Sequence, residues 1–349
     1  MSKISEIDKN FKIETNLNLD DVVYYNVKEN PWCLFGVLNE DVFRRIPKEI
    51  ARQVNAGVYP LHTNTSGGRL RFVTDSPYVA IFAKMPDKTH FSHMPQTGIS
   101  GFDAYVDNRF FGAFIPPVDM ENGSFNSVVY FNNNVEKNLM IHMPLYNNVS
   151  DLYVGIKKGS TFKKAEDYKN KGKVVYYGSS ITQGGCVSRP GLSYPAVIAR
   201  ELDCDFINLG FSGSAKGETV MAEYIAKLNP SIFVFDYDHN AETEEQLQAT
   251  HESFYKTFRS ICPKTKVVMI SAPNFKYKYI NWDSRREIIK KTYNNAIASG
   301  DQNVYFIDGE TLWGEEIWDS CTVDGTHPND LGHFKMAEAI ILVLKKIMK

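Results

Sequence analysis

The sequence predicts a two-domain protein of the α/β class: an antiparallel β-sandwich followed by a domain built on a parallel sheet. Three observations carry this reading. A chain of 349 residues exceeds the usual size of one domain. From about residue 20 to 160, short alternating or aromatic-rich runs are separated by turn signals, the pattern of an antiparallel sandwich. From about 172 onward, short and fully apolar runs alternate with helical segments, the pattern of a parallel sheet covered on both faces. The expected domains are 1–165 and 172–349. The polar, basic stretch from Lys157 to Lys173 between them reads as a solvated linker.

In the first half, strands are expected at 69–74, 78–82, 127–131, 138–142 and 151–156. The turns between them are marked by Ser66-Gly67-Gly68, Asp75-Ser76-Pro77, Asp107-Asn108 and Asn132-Asn133-Asn134. One helix is expected at 47–53. In the second half, strands are expected at 173–177, 205–209, 232–235, 266–270 and 304–307, each too apolar to have a solvent face. Helices are expected at 194–202, where Pro195 suits a first turn, and at 242–262, 283–299 and 331–348.

Composition excludes several classes of function. Lys and Arg number 39 against 41 Asp and Glu, a net charge of −2, and no strongly basic run stands out, so no nucleic-acid partner is expected. No apolar run approaches a membrane span. The polar start, Met1 to Glu6, lacks a signal-peptide core, and the expected location is cytoplasmic. Cys33, Cys186, Cys204, Cys262 and Cys321 are odd in number and form no Cys-x-x-Cys pair, which fits reduced thiols in that compartment.

The chemistry is carried by motifs that follow strands, where open parallel sheets bind ligands. Ser179-Ser180 follows the first strand, Gly210-Phe-Ser-Gly213 the second, Asp236-Tyr-Asp-His-Asn240 the third, and Asp324-Gly-Thr-His327-Pro328 the fifth. Serine is a poor nucleophile without a base, and imidazole is the side chain suited to take its proton. Asp324, three residues before His327, is placed to orient that base. The backbone N–H of Ser180, the N–H of Gly213 and the amide of Asn240 are candidate donors to an oxyanion. Taken singly, each piece has a plainer reading: a turn serine, a turn glycine, a helix-capping asparagine.

Together, Gly178-Ser179-Ser180-Ile181-Thr182, Asn208-Leu-Gly-Phe-Ser-Gly213, Asn240 and Asp324-Gly-Thr-His327-Pro328 resemble the ordered motifs of the SGNH (GDSL-like) hydrolase family. The resemblance implies a flavodoxin-like three-layer α/β/α domain over about 172–349. It implies a triad of Ser180, Asp324 and His327, with an oxyanion hole from Ser180, Gly213 and Asn240. Ser179 stands where the usual motif has Asp, and Asp238-His239-Asn240 replaces the usual Gly-x-Asn-Asp block. Gly101-Phe-Asp-Ala-Tyr105, with Ser66-Gly-Gly-Arg69 and Met143-Pro-Leu-Tyr146, resembles the Gly-x-Asp-Leu-Tyr branch, whose catalytic domain follows a jelly-roll-like β-sandwich.

The function this implies is a serine esterase, without metal or other cofactor, that removes small acyl groups, acetyl foremost, from an acylated oligosaccharide. His239 is a candidate substrate contact. So are His93 and Gln96, on a loop of the sandwich expected to roof the site. No membrane partner is expected, and a homo-oligomer is an open expectation. Three other readings stand beside it: an SGNH lipase or thioesterase for longer acyl chains, a glycan-binding protein with an inactive hydrolase half, and a metal hydrolase using Asp236, Asp238, His239, Asp324 and His327. The last leaves Ser180 idle.

Overall fold

Alternating apolar side chains build the front of the chain into two facing antiparallel sheets. The computed structural model describes residues 17, 19–87, 89–117, 120, 123–273 and 281–348, so Met1 to Glu6 lie outside it. One sheet runs in the order β1 (Val22–Asn26), β11 (Asp151–Lys157), β6 (Tyr78–Lys84), β9 (Ser124–Tyr130). The other runs β12 (Lys163–Lys164), β5 (Arg69–Thr74), β10 (Lys137–His142), β7 (Phe102–Val106), β8 (Arg109–Phe114), with β2 (Leu34–Phe35) also paired to β5. A short ribbon joins β3 (Leu38–Asn39) to β4 (Phe43–Arg44). Every second residue enters the shared core: Val79, Ile81 and Ala83 of β6, Leu152, Val154 and Ile156 of β11, Leu70 and Phe72 of β5.

The rear holds a parallel sheet in the order β14 (Cys204–Gly210), β13 (Asn170–Gly178), β15 (Ile232–Asp236), β16 (Lys266–Ile270), β17 (Val304–Ile307). Counted along the chain this is 2-1-3-4-5, the flavodoxin-like order, with its switch point beside β13. Val175 and Tyr177 point to one face, where helices Thr219–Lys227, Glu244–Ile261 and Trp282–Ala298 pack; Val174 and Tyr176 point to the other, covered by Tyr194–Leu202 and Asp330–Ile347. The helix Thr219–Lys227 is an addition to the sequence expectation. Its buried apolar residues, Met221, Ala222, Tyr224, Ile225 and Ala226, fall within less than two helical turns, too short a run for periodicity to reveal.

The basic stretch between the halves is not a free linker. Lys163 and Lys164 pair with Val73 and Phe72, Asn170 already pairs with Cys204, and Ala165 and Tyr168 between them are buried. The lysine side chains point to water while the backbone is paired, and a run of charges cannot tell an edge strand from a linker. Residues from the front also enter the rear core: Ile46, Ala51 and Val58, around helices Lys48–Val54 and Val58–Leu61, pack with Met221 and Phe211. No helix of the described residues is long and apolar enough to cross a membrane.

The second front sheet turns its outer face onto the rear half, and that face is polar. Phe102 and Ala104 of β7 look into the sandwich core, so Asp103 and Tyr105 look out at the rear half. Asp103, fully buried, accepts from the Gly191 N–H at 3.1 Å and from Arg189 Nη1 at 3.0 Å. Arg69 of β5 gives a hydrogen bond to Phe206 O at 3.0 Å and pairs with Asp205. The Gly-x-Asp-x-Tyr and Ser-Gly-Gly-Arg segments thus clamp one half of the molecule to the other.

Candidate active site

The site begins where β13 runs out at Gly178. Beyond it a single helical turn, Ser180–Gln183, is capped by Ser179, whose Oγ accepts from the Ile181 N–H at 3.2 Å. Ser179 therefore takes a capping role where an Asp stands in the resembling family. Ser180 is the first residue of the turn, so its own N–H has no intrahelical acceptor. A side chain at Gly178 would collide with the Asp236 carboxylate and the Thr182 hydroxyl. Asp236 accepts hydrogen bonds from Thr182 Oγ1 and from Tyr194 OH, the latter at 2.9 Å. Burial nonetheless pushes its carboxyl up to about 7.

The front half fastens this turn from below. Tyr146 OH donates to the carbonyl of Ser180 at 3.1 Å, and Ser66 Oγ donates to that of Gln183 at 2.6 Å. The Gln183 side chain reaches back to Asn64 Oδ1 at 3.1 Å and Leu145 O at 3.0 Å, and accepts from the Ser212 N–H at 3.0 Å. Tyr146 and Ser66 sit in motifs visible in the sequence; the role of Gln183 carried no sequence signal.

His327 arrives on a loop shaped by local bonds. Thr322 and Pro328 form an isolated bridge, and Gly325 between them takes a positive φ of 86°. Asp324 Oδ1 accepts from the N–H groups of Thr326 at 2.9 Å and His327 at 2.7 Å, while Oδ2 lies 2.7 Å from His327 Nδ1. Burial opposes charge on Asp324, but the His327 N–H, the imidazole and the Thr326 N–H outweigh it and hold the carboxyl below its ordinary range. A charged carboxylate only accepts, so Nδ1 carries the proton and Nε2 offers its lone pair to Ser180 Oγ, 2.9 Å away.

Gly213 and Asn240 lie on the segments that follow β14 and β15. Gly213 has φ 63° with open space where a side chain would be. Asn240 is buried in the turn Asp238–Asn240, its Nδ2 donating to Phe211 O at 2.9 Å. Both line an open depression of about 690 Å³ together with His239, Trp282 and Arg285. Its outer rim is polar, with Glu242, Thr243, Glu244 and Glu245. Burial, then the positions of His327 and Arg285, push the His239 imidazole down to about 3, so it is neutral. Trp282 and Arg285 carried no sequence signal, because they reach the site from a helix distant in the chain.

The sandwich loop also arrives here. His93 is exposed, and its ring centroid is 5.4 Å from that of His327. Gln96 gives its Nε2 to Thr89 O at 3.2 Å and Ser100 Oγ at 2.9 Å, bonds that shape the loop itself. Among the described residues, Asp236, Asp238 and His239 do not gather with Asp324 and His327 into a metal-ligand cluster. Asp238 is instead engaged by the Ala272 N–H at 2.8 Å, and Arg285 Nη1 donates to its carbonyl at 2.7 Å.

Residues 171–345 match the sequence model of the GDSL-like lipase/acylhydrolase family. Residues 22–162 match a model described as the N-terminus of the SGNH-hydrolase type of esterase. Among solved structures, a Bacteroides ovatus protein provisionally assigned as a GDSL-like lipase is 28% identical, with a TM-score of 0.85 over 94% of this chain and 98% of its own. A salicylyl-acyltransferase, SsfX3, from a tetracycline biosynthetic pathway is 21% identical, TM-score 0.74, over 93% and 94%. An acetyl xylan esterase from Butyrivibrio proteoclasticus is 13% identical, TM-score 0.58, over 93% and 98%. The last two share the fold. No curated protein sequence matches the chain.

Proposed function

The chain belongs to the GDSL-like lipase/acylhydrolase family, and from that premise we propose that it is a serine esterase that removes acetyl groups from carbohydrate. The observation that carries the reading is the continuous line from Asp324 Oδ2 through the His327 imidazole to Ser180 Oγ, at 2.7 and 2.9 Å. Ser180 attacks the ester carbonyl while His327 Nε2 takes its proton. The N–H groups of Ser180 and Gly213 and the Asn240 amide receive the oxyanion. His327 then protonates the leaving alcohol, and water activated by the same nitrogen releases acetate from acyl-Ser180.

Two observations support a small acyl group on a polar alcohol. The depression beside Gly213 and Asn240 is open and rimmed by Glu242, Thr243, Glu244 and Glu245, a poor lining for a long alkyl chain. Carbohydrate esterases share the fold, one of them, from Clostridium thermocellum, in complex with cellohexaose. Cytoplasmic residence is part of the proposal, supported by five buried cysteines without a disulfide. The test is acetate release from acetylated oligosaccharides, compared with octanoyl esters and with the Ser180→Ala protein. Preference for octanoyl over acetyl would overturn the acetylesterase reading.

A further inference from the structure

We propose that His93, Cys186 and His327 form a binding site for a soft divalent cation, Zn²⁺ foremost, whose occupation switches the esterase off. One donor atom from each of the three lies within 4.8 Å of the others. They come from three separate places in the chain: the sandwich loop, the segment after the nucleophile turn, and the C-terminal loop. The grouping is held in place. The Cys186 N–H donates to Pro328 O at 2.7 Å, which fixes the thiol beside the loop that carries His327. The His93 ring stands over that of His327 with centroids 5.4 Å apart.

The donor chemistry selects the ion. Two imidazole nitrogens and one sulfur suit tetrahedral Zn²⁺, with water as the fourth ligand, whereas Mg²⁺ and Ca²⁺ prefer oxygen. Bonds of about 2.0–2.3 Å would place the donors roughly 3.5 Å apart, so closure needs a shift on the order of 1 Å. His93 is exposed and can supply it by side-chain rotation. Nδ1 of His327 is already given to Asp324, leaving Nε2 for the ion. Asp324 then becomes the outer partner that orients a metal-bound imidazole. The sulfur binds as thiolate, so the thiol proton leaves to solvent as the ion enters.

The consequence for turnover rests on the reading of His327 as the base. Its Nε2 lone pair, once bonded to the cation, cannot accept the Ser180 proton. The site therefore couples hydrolysis to free Zn²⁺ without any metal taking part in the reaction.

Binding is tested apart from activity by titrating Co²⁺ into the Ser180→Ala protein. The expected result is a saturable thiolate-to-Co²⁺ charge-transfer band in the near ultraviolet, lost when Cys186→Ala is added. Absence of the band, or its survival in the Cys186→Ala protein, overturns the proposal. His93→Ala, a change at an exposed residue, carries the test if Cys186→Ala does not fold. Zn²⁺ inhibition, scaled to each protein's own metal-free rate and reversed by chelator, should weaken at least about tenfold in His93→Ala, the loss that even an outer contact to a metal site brings. Equal inhibition of the wild type and His93→Ala overturns the proposal. An absence of esterase activity in every protein would overturn the functional reading instead, with the Co²⁺ band still deciding the site.

Discussion

His327 Nε2 stands 2.9 Å from Ser180 Oγ, although 147 positions of sequence separate the two residues. The contact joins the end of the first parallel strand to the loop before the last helix. Ser180→Ala removes one oxygen and leaves the turn, its Ser179 cap and the Tyr146 bond to the 180 carbonyl in place. Hydrolysis of an aryl acetate should fall on the order of 10⁴–10⁶, with an unchanged thermal midpoint. Steady-state rates with calorimetry on the same sample check both halves.

Asp324→Asn keeps an oxygen that can accept from the Thr326 and His327 N–H groups, so the loop should hold. What is lost is a charged acceptor for Nδ1–H and with it the orientation of Nε2. A drop in kcat on the order of 10⁴, with little change in KM, is expected. Wild-type kcat in this variant would remove Asp324 from the mechanism.

Asn240→Ala deletes one candidate oxyanion donor and its tie to Phe211 O. The rate of acyl transfer should fall by about 10²–10³. A transition-state analogue with a tetrahedral oxyanion should lose affinity in parallel, whereas binding of the planar ester should change little.

Asp103→Ala takes the carboxylate from between Arg189 and the Gly191 N–H, leaving the buried N–H without an acceptor and the half-buried guanidinium without its ion pair. Destabilisation of about 1–3 kcal/mol is expected from the unsatisfied buried donor. Denaturant titration measures it, and a cost near zero would deny the motif its clamping role.

Asp236 gives a pH signature of stability. Its carboxyl is raised from 3.8 to about 7 in the folded protein. Between those values the folded state holds a proton that the unfolded chain has released, so this group's contribution is full below about 4 and is lost as pH rises through 7. Asp238, raised to about 6, acts in the same direction, while His239 and His251, lowered to about 3, act oppositely. The difference in stability between wild type and Asp236→Asn cancels those terms. It should decline with rising pH by at most about 1.4 kcal/mol per unit. A difference that is flat from pH 4 to 7 would place the Asp236 carboxyl in its ordinary range.

Much of the fold was legible in the chain because its elements obey strong local rules. The apolar runs at 266–270 and 304–307 have no polar face, so only a strand buried on both sides accommodates them. The helix at Asp330–Ile347 carries buried residues at 333, 336, 337, 340, 341 and 344, a period no strand shares. Ser180, His327 and Asp324 were legible for another reason: their chemical types are rare in combination, and each follows an apolar strand or precedes a helix.

Local rules could not reveal what distant segments do to one another. That Asp103 clamps Gly191 and that Tyr146 holds the carbonyl of Ser180 depend on side chains meeting across the interface of the two halves, and that Trp282 and Arg285 border Gly213 and Asn240 depends on loops and a helix meeting within the rear half. The basic stretch at 157–173 could not be resolved either, since exposed lysines look alike on an edge strand and on a linker. The sequence by itself determined the class of fold, the order of strands along the chain and the set of candidate reacting groups. Tertiary structure alone decided the order of strands across the sheet, the surfaces joined by buried polar contacts, and the placing of His93 and Cys186 beside His327. The division follows from range: periodicity and capping act over one or two turns of chain, whereas hydrogen bonds and burial act over a few ångströms of space, whatever the separation in sequence.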